Sequence, residues 1–360
     1  MGHRFDYRWT LKDAGFTKDK GKVFSCFACG GGSTMGYKLA GFDVIGCNEI
    51  DPRMNEVYVT NHHPRHNYLM DIRDMVKLAK AGGLPGELYR LDVLDGSPPC
   101  SSFSICGERE TGWGKEKKFR EGQAKQVLDT LFFDFIELAG ELRPKIVVAE
   151  NVRGIILGNA KKYVNRISDA FAKAGYTATL TLLNSKNMGV PQMRERTFFI
   201  AVRDDLIDRV PKSGLYDEPF IDLEFSEPEI LWKDIFTDEN DRPLSEQKRA
   251  FWELRREGDI DLSMCCARHG ENPNKFFNCK FLYDDRVPNT VAGKDYCIVF
   301  DQGRYRNNRE IILCSSFPED FDFCGEPVDY ICGMSVPPVM MAQVACRIYE
   351  QWLKVMDKPR

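Results

Sequence analysis

The chain predicts a doubly wound α/β sheet of Rossmann-like type with a small, loop-rich second domain. Short apolar runs alternate with stretches of helical spacing as far as about residue 203. A glycine-rich turn follows the first of those runs directly. From about 206 to 305 the alternation stops and returns only near the end. A length of 360 residues is enough to bury a large core and suggests about two domains.

Residues 1–21 are polar and without clear period, and read as an extension. Val23-Phe24-Ser25-Cys26-Phe27 is the first buried strand. It runs into Ala28-Cys29-Gly30-Gly31-Gly32-Ser33 and then a helical stretch, Thr34 to Ala40. Strand, glycine-rich turn and helix open a nucleotide-binding unit, because glycine lets backbone approach a ligand closely. Any tight strand-to-helix turn could use the same glycines. Val44 to Asn48 is the second strand and ends in Glu49, about twenty residues after the glycines. An acid there suits the two hydroxyls of a ribose, or is a solvated loop carboxylate.

Tyr68 to Ile72 reads as a third strand end and Leu88 to Leu94 as the fourth strand. The fourth leads into Gly96-Ser97-Pro98-Pro99-Cys100. Two prolines fix φ and force extended geometry before each of them, so the cysteine is held stiffly at a strand end. Val127 to Leu142 has a core-facing helical stripe that Pro144 stops. Ile146 to Ala149 is a continuous apolar strand ending in Glu150-Asn151-Val152, as in a sheet covered on both faces. Tyr163 to Ala174 is helix and Thr177 to Leu183 strand. Gln192-Met193-Arg194-Glu195-Arg196 then leads into a last strand, Thr197 to Val202. Near the end, Pro337-Pro338 starts a helix from Val339 to Val355.

The formal charge of −4 hides an uneven distribution. Residues 204–240 hold twelve Asp/Glu against three Lys/Arg, a net of −9, which leaves +5 on the remainder. Local patches therefore decide whether a polyanion can bind. No apolar run approaches the roughly 18 residues of a membrane span, and no leader-like apolar segment opens the sequence. Thirteen cysteines read as reduced thiols in a cytosol. Cys26-x-x-Cys29 could be a redox pair, and Cys265, Cys266, His269 and Cys279 could hold zinc. Their spacing fits no standard finger, and no metal is expected.

Taken in order, the glycine-rich turn, Glu49, Asp71, Pro99-Cys100, Glu150-Asn151-Val152 and Gln192-x-Arg194-x-Arg196 resemble the motifs of the DNA cytosine-5 methyltransferases of bacterial or phage type. The match covers about 22–203 and 306–360. Val287-Pro288-Asn289-Thr290 and Gly333-Met334-Ser335-Val336-Pro337-Pro338 are similar to that family's two late motifs. The resemblance implies methylation of cytosine C5 in a specific double-stranded DNA sequence, with S-adenosylmethionine as donor. Cys100 would add to C6 of an extruded base. Glu150 would protonate N3, its pKa raised by burial. Arg196 would bind the base oxygen with Arg194 in support, and Asn151 would orient the Pro99–Cys100 turn.

By the same resemblance Phe27 and Ile50 would sandwich adenine and Glu49 would hold ribose. Asp71 and Ile72 would meet the adenine edge; Gly30, Gly31, Gly32, Pro99 and Val336 would complete the cofactor pocket. The loop from Ser101 to about Gln123 would close over the base. The implied domains are the extension 1–21, a catalytic and cofactor-binding domain 22–205, a target-recognition domain 206–305, and a segment 306–360 returning to the catalytic domain. A monomer acting on double-stranded DNA in a prokaryotic or phage-infected cytoplasm is expected, with a cognate restriction endonuclease as partner. Transfer to tRNA, or a nucleic-acid-binding homologue without catalysis, are the alternative readings. Three positions depart from the family: Cys29 replaces the first glycine of the turn, Ser101 a glutamine and Met334 an asparagine.

Overall fold

A computed structural model describes residues 2–99, 130–157, 161–214, 217–239 and 242–356. Cys100, Ser101 and the loop to Gln123 lie outside the described residues. The chain divides into two compact units. One comprises 15–184, 195–224 and 341–360; the other comprises 1–14, 185–194 and 225–340.

The first unit is built on a seven-stranded sheet. Its strands are β1 (Lys22–Cys26), β2 (Asp43–Glu49), β3 (His66–Leu69), β4 (Val93–Gly96), β5 (Ile146–Val152), β6 (Tyr176–Asn184) and β7 (Glu195–Arg203), in the order β3-β2-β1-β4-β5-β7-β6. All neighbours are parallel except β7, which runs antiparallel to both β5 and β6. The order turns back between β1 and β4, so the carboxyl ends of these two strands border the crevice where open α/β sheets take ligands. The helices are α1 (Gly32–Leu39), α2 (Pro52–His62), α3 (Ile72–Lys80), α4 (Leu131–Leu142) and α5 (Lys161–Lys173).

Side chains alternate across the sheet. Phe24, Cys26, Leu94, Val147 and Ala149 join one apolar core with α3, α4 and α5, including Met75, Phe132, Phe135 and Ile167. Ser25 and Asp95, paired across β1 and β4, face the opposite side toward α1. Strand β4 begins later than Leu88, because Leu88–Arg90 forms one helical turn whose Leu88 plugs the core.

In the second unit, α6 (Trp232–Ile235), α7 (Glu246–Glu253) and α8 (Leu262–Arg268) surround a small sheet. A hairpin, β8 (Lys212–Ser213) and β9 (Glu218–Pro219), precedes them in the chain and belongs to the first unit. The small sheet consists of β10 (Phe281–Leu282), β11 (Ile298–Val299) and β12 (Arg304–Tyr305). Its core is Leu244, Leu262, Cys265, Cys279, Phe281 and Ile298.

The sequence put the boundary of the smaller domain at 206 and 305, whereas the compact units divide at 224/225 and 340/341. Fully buried ion pairs account for the second difference. Arg304 of β12 meets Glu310 at 2.7 Å, which ties α9 (Asn308–Cys314) to the small sheet, and Arg306 just after β12 meets Asp295 at 2.6 Å. Breaking such a pair leaves a buried charge and costs about 3–5 kcal/mol. Next come α10 (Val328–Met334) and α11 (Pro338–Ile348), and the division falls inside α11. One run, Val328–Met356, is long and apolar enough to cross a membrane by length and composition, contrary to the sequence reading. Its residues are mostly buried in the protein, which is how a core helix passes the same test.

Candidate active site

The turn after β1 has alternating left-handed residues: Phe27 at φ 53°, Cys29 at 46° and Gly31 at 82°. Only Gly31 adopts this region freely. A Cβ on Gly31 would lie 2.1 Å from Nε2 of His62, so the glycine is required by space as well as by angle. Nε2 of His62 donates to the Gly30 carbonyl at 3.2 Å, and Lys38 approaches Nδ1 at 3.4 Å. Burial, then Lys38, pushes His62 down to about 3, so the ring is neutral. The departure noted at Cys29 is thus a strained one: a side chain occupies a backbone state that favours glycine.

Glu49 closes the turn from the end of β2. One carboxylate oxygen accepts from the Cys29 N–H at 2.8 Å, and the other accepts from Ile50 at 2.8 Å and Asp51 at 2.9 Å. Burial raises its pKa; the N–H groups of Asp51, Cys29 and Ile50 oppose that rise. Ile50 beside it is 38% exposed, a large apolar side chain facing outward. Phe27 is half-buried with its ring 6.3 Å from that of Phe135. An acid next to an exposed apolar side chain suits a nucleoside, which has a polar sugar and a flat apolar base.

Asp71 is the N-cap of α3, accepting from the Arg73 N–H at 2.9 Å, and its carboxylate also pairs with the Arg73 guanidinium. The hydrogen bond from the Arg73 side chain, foremost among the causes, holds its pKa below the usual range. Ile72 is buried in the core with Met75 and Val76, so its side chain supports the helix from beneath.

The chain leaves β4 through Ser97, buried Pro98 and half-buried Pro99. Asn151 Nδ2 donates to the Pro98 carbonyl at 3.1 Å, and Oδ1 accepts from the Val152 N–H. This fixes the backbone one residue before Pro99. Glu150 lies on β5 and Arg196 on its antiparallel neighbour β7. They form an ion pair, Nε to Oε1 at 2.7 Å, with little exposure of either side chain. Burial lowers the Arg196 pKa and Glu150 opposes that. The sequence had assigned the two residues separate duties toward a base; as found they engage one another.

Arg194 belongs to the second unit. Its Nη1 donates to the Val291 carbonyl, and its Nη2 to the carbonyls of Gly333 and Ser335, all at 2.7–2.9 Å. A Cβ on Gly333 would lie 2.3 Å from the Ala292 backbone. Arg194 is therefore a staple joining the two late motifs, at 1% exposure. Val336 is buried in the same unit, and Met334 is 37% exposed. Among the described residues no cluster of His, Cys, Asp or Glu could hold a metal. Sequence reasoning passed over Asp95 and His62. The only signal for Asp95 was a lone acid in an apolar strand; His62 gave none.

Residues 21–350 match the profile of the C-5 cytosine-specific DNA methylase family. Type II methyltransferase M.FnuDI of Fusobacterium nucleatum is 33% identical over 185 residues, which is 51% of this chain and 48% of that protein. Type II methyltransferase M1.HphI of Haemophilus parahaemolyticus is 27% identical over 333 residues, 89% of this chain and 84% of that one. The chain spans about half the length of relatives such as M.FnuDI. A mutant of Spodoptera frugiperda DNMT2 has the same fold at TM-score 0.62 and 15% identity, covering 94% of this chain and 99% of that one.

Proposed function

The chain belongs to the C-5 cytosine-specific DNA methylase family, and from that premise we propose that it methylates cytosine C5 in double-stranded DNA with S-adenosylmethionine as donor. The observation that carries the reading lies within one compact unit. The Glu49-anchored turn of β1, the Asn151-braced Pro98–Pro99 segment and the Glu150–Arg196 pair sit at the ends of neighbouring strands of one sheet.

The residues suit the donor. Glu49 would meet the ribose hydroxyls, with Phe27 and Ile50 beside the adenine; Gly30 to Gly32 would admit the amino-acid portion against bare backbone. Asp71 would have to share its carboxylate between Arg73 and the exocyclic amine. S-adenosylmethionine would supply a methyl group on a sulfonium, an electrophile that cytosine C5 is too weak to attack unaided.

The protein's part is to strengthen C5. Cys100 would attack C6 as thiolate, forming a C–S bond and moving the ring electrons toward C5. Glu150 would deliver a proton to N3, easing that addition. It would first have to share or release Arg196, whose guanidinium could then turn to the base oxygen. Once C5 has bonded to the methyl group, with the donor's sulfonium becoming a neutral thioether, loss of the C5 proton to a base, expulsion of the thiolate and return of the N3 proton to Glu150 would restore the aromatic ring. The base must leave the duplex for this to happen. A cognate endonuclease reading the same site is the partner this function implies.

The test is transfer of a tritiated methyl group from S-adenosylmethionine to unmethylated DNA, with bisulfite sequencing of the product. DNA containing 5-fluorocytosine should trap the wild type as a denaturation-resistant complex, and Cys100→Ser should lose both turnover and trapping. Label in tRNA rather than DNA, or turnover by the serine variant near the wild-type rate, would overturn the reading.

A further inference from the structure

We propose that Asp95 is a positioning residue for the cofactor turn, clasping it at both ends through Ser25 and Ser33 and fixing it to the strand that leads to Cys100. The proposal rests on the reading of that turn as the S-adenosylmethionine site, and assigns a residue that none of the family-like motifs contains.

The geometry is specific. Ser25 is the second-last residue of β1 before the turn, and its hydroxyl donates to Asp95 Oδ2 at 2.9 Å. Ser33 is the second residue of α1 after the turn, and its hydroxyl donates to Oδ1 at 3.1 Å. One carboxyl group thus holds both banks of the segment 26–32 through separate oxygens. Asp95 and Ser25 are cross-strand partners in the β1–β4 register, so the first of these bonds needs little side-chain ordering.

A carboxyl group at 1% exposure in an apolar strand is costly unless its oxygens are satisfied. Other residues would fill that space at lower cost if stability alone mattered. The same bonds are useful where a turn holds three left-handed residues, two of them not glycine. Such a turn relaxes unless its ends are fixed.

Around the carboxyl group stand Tyr37 of α1, Tyr58 of α2, Cys26 of β1 and Glu150 of β5. Burial pushes the tyrosines and Cys26 well above their ordinary values, so they stay neutral. The Tyr37 hydroxyl adjoins Asp95 but lies outside normal hydrogen-bond geometry. Positioning therefore falls to the two serines.

The experiment is calorimetric titration of the full chain with S-adenosylmethionine, beside DNA affinity and melting temperature of the free protein. Asp95→Ala should raise the cofactor Kd about tenfold and leave DNA affinity unchanged. Asp95→Asn, whose amide accepts from one serine and donates to the other, should restore most of the loss. Ser33→Ala should cost about fivefold, and Ser33→Thr should recover it. Ser33→Ala combined with Asp95→Ala should be no worse than Asp95→Ala alone, because both remove the same bond.

Should Asp95→Ala fail to fold, the Ser33 pair at its half-buried site carries the comparison. Cofactor affinity within twofold of wild type in Asp95→Ala or Ser33→Ala, or additive losses in the double variant, overturns the clasp alone. A wild type that binds no S-adenosylmethionine overturns the cofactor reading and the proposal together.

Discussion

At residue 31 a single methyl group decides whether the turn after β1 can form. Gly31→Ala combines a left-handed φ of 82° with a Cβ 2.1 Å from His62 Nε2. It should destabilise the protein by about 2 kcal/mol or more and abolish cofactor binding, as read by thermal melting and calorimetry. The opposite change two residues earlier, Cys29→Gly, relieves a non-glycine left-handed residue at some cost in chain entropy. It should stabilise by up to about 1 kcal/mol and keep cofactor affinity. Asp95 sets a pH dependence at the same scale. Burial, foremost among the causes, pushes its pKa from 3.8 to about 7. The native state then binds more protons than the unfolded chain between about pH 4 and 7. Its contribution is therefore fully present below pH 4, falls as pH rises to 7 and is flat above. Asp95→Asn should remove that loss, on the order of 4 kcal/mol. Denaturant melts of both proteins at pH 5 and 8 measure about two thirds of it; the same difference in stability at both pH values would refute the assignment.

Elements were legible where one physical signal dominated. β1, β2, β5 and β7 are continuous apolar runs, and each was placed within a residue or two because a strand buried on both faces has no polar alternation to confuse it. β4 was begun too early, since Leu88 is apolar for a helical turn that meets the same core. Asn151 was legible as a site residue from the motif it stands in, although its partner, the Pro98 carbonyl, lies 53 positions earlier on the neighbouring strand's continuation. Which residues meet across strands was not legible. Glu150 and Arg196 are 46 positions apart, and only the antiparallel β5–β7 register brings them together. Arg194 reads like its neighbour Arg196 by type and spacing, yet its bonds run to backbone carbonyls of Val291, Gly333 and Ser335.

The segment 2–14, which had no role in the sequence reading, is held to the second unit. Trp9 Nε1 donates to the Ser316 carbonyl at 2.9 Å, and Asp320 accepts from the N–H groups of Leu11 and Lys12. Trp9→Ala should therefore lower stability by about 1–3 kcal/mol, through lost apolar burial and an unmet carbonyl. An unchanged denaturation midpoint would show the segment to be a passive strap.

At the scale of the whole molecule, the residues that carry chemistry and those that read sequence are expected on different units. The first unit commits its strand ends to the turn, the proline segment and the Glu150–Arg196 pair. That leaves base readout to the second, whose Arg255, Arg256, Arg268, Lys280, Asn272, Asn274 and Asn278 form one group by residue type alone. Packing divides that group. Arg268 holds buried Asp259 by two bonds of 2.7 Å, Lys280 holds buried Asp261 at 2.6 Å, and Arg255 lies 3.7 Å over the Trp252 ring. Turning any of these toward DNA would strip a buried acid or an aromatic face of its partner. Arg256, Asn272, Asn274 and Asn278 are instead exposed, and Arg and Asn suit the guanine and adenine edges of the major groove. Alanine at Arg268 should therefore lower stability by about 2–4 kcal/mol, because Asp259 is left buried and unpaired, while whatever folds keeps the wild-type methylation context. Alanine at the exposed four should leave melting unchanged and relax that context, by about 1–3 kcal/mol for each base edge that is no longer read. Methylome sequencing of each variant in an unmethylated host, beside its melting curve, separates the two classes. A relaxed context from Arg268→Ala at full stability, or an unaltered context from all four exposed changes, would reverse the division.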